Sequence, residues 1–469
     1  MRAMKTLLVV LVLAALAACG VWYSAGRQAG PQIEIKAPAA VIGQTGDVEV
    51  LIRTPHGQLD RLQVQLEQNE TRLPVIAFPG SDGAALTRAG EDELRIVRPI
   101  GKRTYPKLEA GKARITVTAV RPVLFGYRHV QSSASRDIEV RLTPPALAAL
   151  STFHYINQGG SEMVVYRVSP ADATSGVRVG NYEYRGYPAS AAGVANADPS
   201  LHVAFFALLW DQQATTPIGL FARDTVGNEA SASFDYRVIP KSFRSSRIQL
   251  DDKFLGKVVP GILQSTPAFK VDNPSDLLSS FLRINGDLRR QNGAELEALA
   301  AHTAPEVLWR GPFKQLVNSA VEGGFADQRT YVYQGKEVDH QVHLGFDLAS
   351  TAMTPVAAAN RGKVVHAGPF GIYGNCVVID HGMGLQSLYA HLSSISTSVG
   401  SMINEGDVIG RSGSTGLAGG DHLHFTMLLS GHAVTPIDWW SAKWLQDRIT
   451  RKLQEAQAPA TSGASSGTP

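Results

Sequence analysis

The stretch from Gly419 to Met427, GGDHLHFTM, sets His422 and His424 one residue apart in apolar surroundings. Residues two apart in a strand share a face, so both imidazoles would point the same way. Upstream, HLGFD aligns His343, Gly345 and Asp347 by the same parity, and the glycine leaves room between the two polar side chains. Two imidazoles and a carboxylate are a common ligand set for a catalytic Zn2+, which takes three protein ligands and keeps a fourth position open for water. Taken alone, the two histidines of DHLHF could equally be hydrogen-bonded core residues. Their companions along the chain decide between the readings.

Those companions occur in a fixed order: HLGFDLAS, TPVAAANRGKVVHAG, YGNCVVIDHGMGLQSLYAHLSS, GDVIGRSGSTG and GDHLHF. The set resembles the lysostaphin-type (LytM-like) zinc peptidoglycan endopeptidases, with their H-x-x-x-D and H-x-H motifs and an intervening Tyr-Ala-His-Leu. The resemblance implies an all-β peptidase domain of the duplicated-hybrid-motif type. It also implies Zn2+ held by His343, Asp347 and His424, with His391 and His422 as catalytic histidines that do not bind the metal. A neutral imidazole there would take a proton from water, and a second would stabilise the oxyanion. The implied substrate is peptidoglycan, cut in its stems or crosslinks. Two positions depart from the family: Thr426 stands where Glu is frequent, and Asp421 where Pro or Thr is frequent. Thr426, two residues from His424, is expected beside the ligand or in the groove. Tyr331 and Tyr333 are both candidates for an oxyanion-site tyrosine. His340, His366, His381, His154 and His202 are expected in surface or core roles.

The elements that must carry these residues fall into blocks. At 469 residues the chain exceeds one ordinary core. Short period-two runs such as DVEVLIR, LQVQLEQ and ARITVTAV predict a β-sandwich over 31–145. EMVVYRV, LHVAFFALLW and ASFDYRVI predict a second, immunoglobulin-like sandwich over 146–240, with a turn at Gly227-Asn228. Helical spacing opened by Asn273-Pro274-Ser275, and interrupted by Gly286 and Gly293, predicts a helical connector over 241–306. The peptidase domain follows over 307–444, then a terminal helix and a tail without fixed structure over 445–469.

The N-terminus, residues 1–30, has a short basic start and an apolar run ending in Leu16-Ala17-Ala18-Cys19. That end resembles the bacterial lipobox, which implies lipidation of Cys19. The rival is an uncleaved helix continuing through Val21, Trp22 and Tyr23, its aromatics at the interface. Either way the remainder lies outside the cytoplasm, tethered to a membrane in the bacterial envelope. With Cys19 so used, Cys376 has no disulfide partner and reads as a small core residue. The net charge of +3 and the lack of basic runs exclude a nucleic-acid partner.

The expectation is therefore a mainly β, membrane-tethered zinc metalloendopeptidase acting on peptidoglycan, with envelope proteins as further partners. The alternative is a metal-free member of the same family that activates a separate cell-wall amidase. Such members lack one or more of the five positions held here by His343, Asp347, His391, His422 and His424. The lipobox reading predicts that Cys19→Ser abolishes fatty-acid labelling and changes the processed mass. If variant and wild type migrate alike and neither carries a fatty acid, the uncleaved helix is the tether.

Overall fold

A computed structural model describes residues 2–80 and 86–457. They group into two compact units, one of residues 1–144 with 223–229, the other of 145–222 with the chain from 230 onward. The 458–469 tail lies outside the described residues.

The first unit opens with the helix Arg2–Ala25. Its 22-residue stretch Met4–Ala25 is long and apolar enough to cross a membrane, although a signal sequence meets the same criterion. Two antiparallel-rich sheets follow, of four and five strands. Val48, Val50 and Ile52 from one sheet and Leu62, Val64, Leu66, Ile115 and Val117 from the other fill a single core. The alternation read in the sequence is the alternation of their burial, as a two-sheet sandwich requires.

In the second unit, the β block of 145–222 and 230–240 does not stand apart from the C-terminal domain: one buried cluster runs through both. The reason is written in the strand Leu201–Leu208, which is buried along its whole length. A strand covered on both faces needs an unbroken apolar run, and LHVAFFALL supplies it. Phe206 packs on Phe234 inside the block, with ring centroids 5.9 Å apart. The neighbouring Phe205 points the other way, 5.8 Å from Trp439 beyond the last peptidase strands. Trp439 also meets Trp309, Phe313 and Trp444 edge-on or tilted, and its indole N–H donates to Ser161 Oγ at 3.3 Å. Next to it, Asp438 accepts from Ser161 N and Asn157 Nδ2.

The connector contains the helices Asp252–Ser265, Leu277–Arg283 and Arg289–Ala300, the last two joined by a π turn over Ile284–Leu288 that includes Gly286. Asn273 makes a turn ahead of the second helix, while Asp276 caps it by accepting from Ser279 N. Leu255, Val259, Phe281 and Leu288 bury themselves against Tyr331 and Ile372 of the peptidase. A strand ahead of these helices, Ser245–Leu250, pairs in parallel with Asp327–Tyr333, so the connector is built into the peptidase edge.

The peptidase core is an eight-stranded sheet. At its centre Leu423–Leu429 lies between Phe346–Ala349 and Leu385–Leu392, antiparallel to both. Cys376 is buried in Asn375–Gly382, where the apolar surroundings push its thiol pKa up. The terminal helix ties back to the β block through Lys452, whose Nζ lies 2.9 Å from Glu162 Oε1 and donates to Met163 O, with both side chains buried. Breaking such a pair from one side leaves an uncompensated buried charge. Lys452→Ala should destabilise the full chain by on the order of 3 kcal/mol in chemical denaturation, and Glu162→Gln with Lys452→Met by much less. Equal losses in the two variants would mean that packing, not charge, holds this junction.

Candidate active site

The register of the central sheet assembles the candidate residues. Asp347 pairs across to His424, and Ala390, the neighbour of His391, pairs to His424 from the other side. His343 ends the strand Lys336–His343, opposite Asp327. His422 enters just before the central strand, its N–H bonded to Gly413 O at 3.0 Å. The five side chains named from the motifs thus line one groove of about 330 Å3. A larger hollow on the first sandwich, edged by Glu67, Arg72, Arg114 and Glu139, contains no histidine or cysteine.

His343, Asp347 and His424 form the group able to hold a metal ion, with their ligand atoms within 4.8 Å of one another. His343 Nε2 lies 2.9 Å from Asp347 Oδ1 and 3.0 Å from His424 Nδ1, and His424 Nδ1 lies 3.1 Å from Asp347 Oδ1. The outer partners fix which nitrogens are bare. His343 Nδ1 is 2.9 Å from the carbonyl of Gly324, which can only accept, so Nδ1 carries the hydrogen and Nε2 faces inward as a lone pair. Thr426 Oγ1 spends its proton on Leu344 O, so it accepts from His424 Nε2 at 2.9 Å and leaves Nδ1 bare. Two lone pairs and a carboxylate oxygen face one another with no hydrogen of their own between them, an arrangement that calls for a cation. Two donors on a tetrahedral Zn2+ stand about 3.3 Å apart, close to these separations.

The other two histidines show the same economy. His391 Nδ1 donates to Thr415 O at 2.8 Å and His422 Nδ1 to Gly420 O at 3.0 Å, which turns each Nε2 toward the site. His422 Nε2 is 3.4 Å from Asp347 Oδ1. The His391 ring stands 4.9 Å from His422 and 5.7 Å from His424. His391 sits at φ 62, a left-handed conformation that costs a non-glycine residue about 1–3 kcal/mol and persists where the surroundings enforce it.

Burial opposes charge throughout the cluster. It lowers His424 to about 4. His391 is held well below the ordinary imidazole value by burial and by the neighbouring His422 and His424. Burial acts against His422 as well, but its bond to Asp347 outweighs this and raises it. For Asp347, burial would raise the pKa, and the imidazoles of His343, His422 and His424, where they turn a proton toward it, bring it well below the carboxylate range.

Several features were not read from the sequence. Arg329 donates to Asp347 Oδ2 at 2.9 Å and leans on Asp327 at 3.4 Å, holding the ligand carboxylate from behind. Its only trace in the sequence is parity with Asp327 and Tyr331. The Tyr373 ring lies tilted against His424, with centroids 5.7 Å apart. Phe254 and Phe281, from the connector, form part of the groove wall. Tyr331 lines the groove, whereas the Tyr333 hydroxyl is spent on Asp252 at 2.6 Å. The two family departures have local partners: Thr426 orients His424, and Asp421 accepts from Ser412 Oγ and Met353 N, bracing the turn before DHLHF. Gly345 is required, because a Cβ there would lie 2.6 Å from the His424 ring. His340 is exposed, His381 is buried between Arg361 O and Ser387 Oγ, and His154 and His202 lie in the second β block.

Residues 341–436 match the model of Peptidase family M23. Over 97 residues the chain is 42% identical to the DD-carboxypeptidase/endopeptidase Mpg of Neisseria meningitidis, a match covering 21% of this chain and 22% of that protein. It is 29% identical over 167 residues to the peptidoglycan DD-endopeptidase ShyA of Vibrio cholerae, covering 36% of each. Among solved structures, the catalytic domain of the antimicrobial peptidase lysostaphin from Staphylococcus simulans aligns at 28% identity, covering 28% of this chain and 98% of that one, with a TM-score of 0.24. The chain thus spans 22% of the length of the first of these curated relatives.

The geometry separates two kinds of histidine. If His343, Asp347 and His424 hold a catalytic zinc, His424→Ala should remove the metal and the activity together. His391→Ala and His422→Ala should leave zinc per chain near wild type and lower hydrolysis by about a hundredfold or more, the usual contribution of a positioned acid–base group. Zinc lost from His422→Ala but kept in His424→Ala would exchange their roles.

Proposed function

We propose that the protein is a membrane-tethered zinc metalloendopeptidase that hydrolyses peptide bonds in the stems or crosslinks of bacterial peptidoglycan, a reading supported by the match of residues 341–436 to Peptidase family M23 and by the similarity to the peptidoglycan DD-endopeptidase ShyA. The observation that carries this reading is the convergence of four imidazoles and one carboxylate, each ring tied on its outer nitrogen and bare or proton-bearing on its inner one. His343 Nε2, His424 Nδ1 and Asp347 would hold the metal. Bound there, zinc would polarise the scissile carbonyl and lower the pKa of a water.

The chain's own groups do the rest. Arg329 keeps the Asp347 carboxylate from rotating. His391, kept neutral by burial, is poised to accept a proton from the attacking water at Nε2. His422, favoured in its charged form by Asp347, can donate Nε2–H toward the developing oxyanion. The groove beside them offers the apolar surfaces of Ile248, Phe254, Ile372 and Leu417 together with the cation Arg289. That mixture suits an extended peptide bearing small apolar side chains and free carboxylates. The apolar N-terminal helix supports the tether, through Cys19 as a lipid carrier or through the helix itself.

The test is digestion of purified sacculi by the full chain in detergent, since the peptidase shares its core with the preceding β block. Mass analysis should find crosslinked dimers converted to monomers, with the conversion lost to a chelator and restored by zinc. Intact sacculi, together with stimulation of an added amidase by metal-free protein, would favour the regulator instead.

A further inference from the structure

The first unit carries a feature that catalysis does not use. The strands Gly111–Val123 and Arg128–Val140 are, at 13 residues each, the longest of its sandwich. The neighbouring strand Arg61–Gln68 pairs with the first of them only as far as Val120, so residues 121–128 project as a finger. The finger lies along the segment that follows the apolar helix. Gly30 abuts Ser132, and Arg121 donates to Ala29 O at 2.8 Å. Ala25 packs between Val123 and Val130, and Arg128 donates to Trp22 O with its guanidinium 5.3 Å from the Trp22 ring. Moving out along the finger is therefore moving back along the chain, from Gly30 to Trp22, toward the apolar span. At the tip Phe125 is 98% exposed and Tyr127 78% exposed. Leu124 and Phe125 both hold left-handed backbone, at φ 51 and 54. A strained turn that presents a phenyl ring wholly to water gains nothing within the fold.

We propose that this tip is a second membrane contact: Phe125 and Tyr127 insert into the headgroup interface of the same phospholipid bilayer that receives the N-terminal helix. Trp22 and Tyr23 end the apolar stretch at that level, where aromatic rings favour the interface. Arg27, stacked 4.5 Å from Tyr23, and Arg121 and Arg128 form a cationic collar behind the tip, matched to lipid phosphates. The two contacts together would fix the orientation of the first sandwich on the bilayer, which one helix or acyl anchor leaves free to rotate.

The proposal rests on the tether reading, and the experiment keeps the two apart. The full chain is reconstituted with phosphatidylethanolamine–phosphatidylglycerol vesicles carrying brominated acyl chains, and flotation of the unlabelled protein reports the tether. A bimane label is placed at Phe125→Cys or at Glu70→Cys, with the background from the unsubstituted chain subtracted. Glu70 is the exposed hairpin turn at the opposite end of the same sheet. The label at 125 should be quenched by at least about twofold more than the label at 70, as expected for insertion of several ångströms into the interface. In the wild-type chain, amide exchange over 121–128 should slow on adding vesicles. Flotation with equal quenching at both sites and unchanged exchange would overturn the proposal and leave the tether standing. No flotation would remove both.

Discussion

The site depends on the pairing of Leu423–Leu429 with Phe346–Ala349, in which Asp347 faces His424 across the ladder. A one-residue slip would turn the imidazole to the other face of the sheet and separate the two ligand atoms. The apolar neighbours forbid that slip. Leu423, Phe425 and Met427 are buried on the face opposite His424, in the cluster that contains Trp439. Core packing on one side of the sheet therefore sets the spacing of Asp347 and His424 on the other. The second β block, which supplies Phe205 and Ser161 to Trp439, takes part in that packing.

On the polar side, the problem is to keep four imidazoles close together without collapse into mutual hydrogen bonds. The fold solves it from outside. Gly324 O, Thr415 O, Gly420 O and Thr426 Oγ1 each take one ring N–H, and rings so held cannot flip to bond one another. Burial then disfavours protonation of His391 and His424, which preserves their inner lone pairs. Arg329 stands behind Asp347 and compensates a carboxylate that would otherwise be costly to bury. The left-handed backbone at His391 is the local strain accepted for this arrangement.

The ligand candidates were legible because strand parity is local: two residues apart, or four with a glycine between, is enough to align side chains. Position 426 was legible for the same reason, as a neighbour of His424. Arg329 was not, since its partner comes from a strand 18 residues on and its own strand is fixed by a parallel pairing with Ser245–Leu250, some 80 residues away. The connector's helical character could be read from its spacing, although the helix Asp252–Ser265, with Pro260 inside it, was missed. Its contribution of Phe254 and Phe281 to the groove could not be read, because an amphipathic helix declares that it has a covered face without declaring what covers it. The same limit applies to LHVAFFALLW. The run announces burial on both sides, and only the tertiary structure identifies Trp439 as the second neighbour.

The shared core has a consequence for how the groove can change. A peptidase domain attached by a loose linker could open and close its groove by moving as a body. Here Trp439 on one side and the parallel strand Ser245–Leu250 on the other bind the sheet to the elements before it. The wall formed by the connector is held differently. Its helices bury leucines, valines and phenylalanines against Tyr331 and Ile372, and polar bonds add to this: Lys257 donates to Ala418 O at 3.3 Å, the Tyr333 hydroxyl to Asp252 at 2.6 Å, Asn285 Nδ2 to Asp339 at 2.7 Å and Ile372 N to Asn292 Oδ1 at 3.1 Å. The buried Asn285 and Asn292 fix the two later helices, whereas Asp252–Ser265 is held by apolar contacts and by bonds at exposed or half-buried positions, which can slide and exchange with water. The Glu162–Lys452 pair and the Asp438 hydrogen bonds cannot. Adjustment of the groove to a substrate is therefore expected at Asp252–Ser265, which carries Phe254 into the groove wall, while the histidine cluster stays on the sheet.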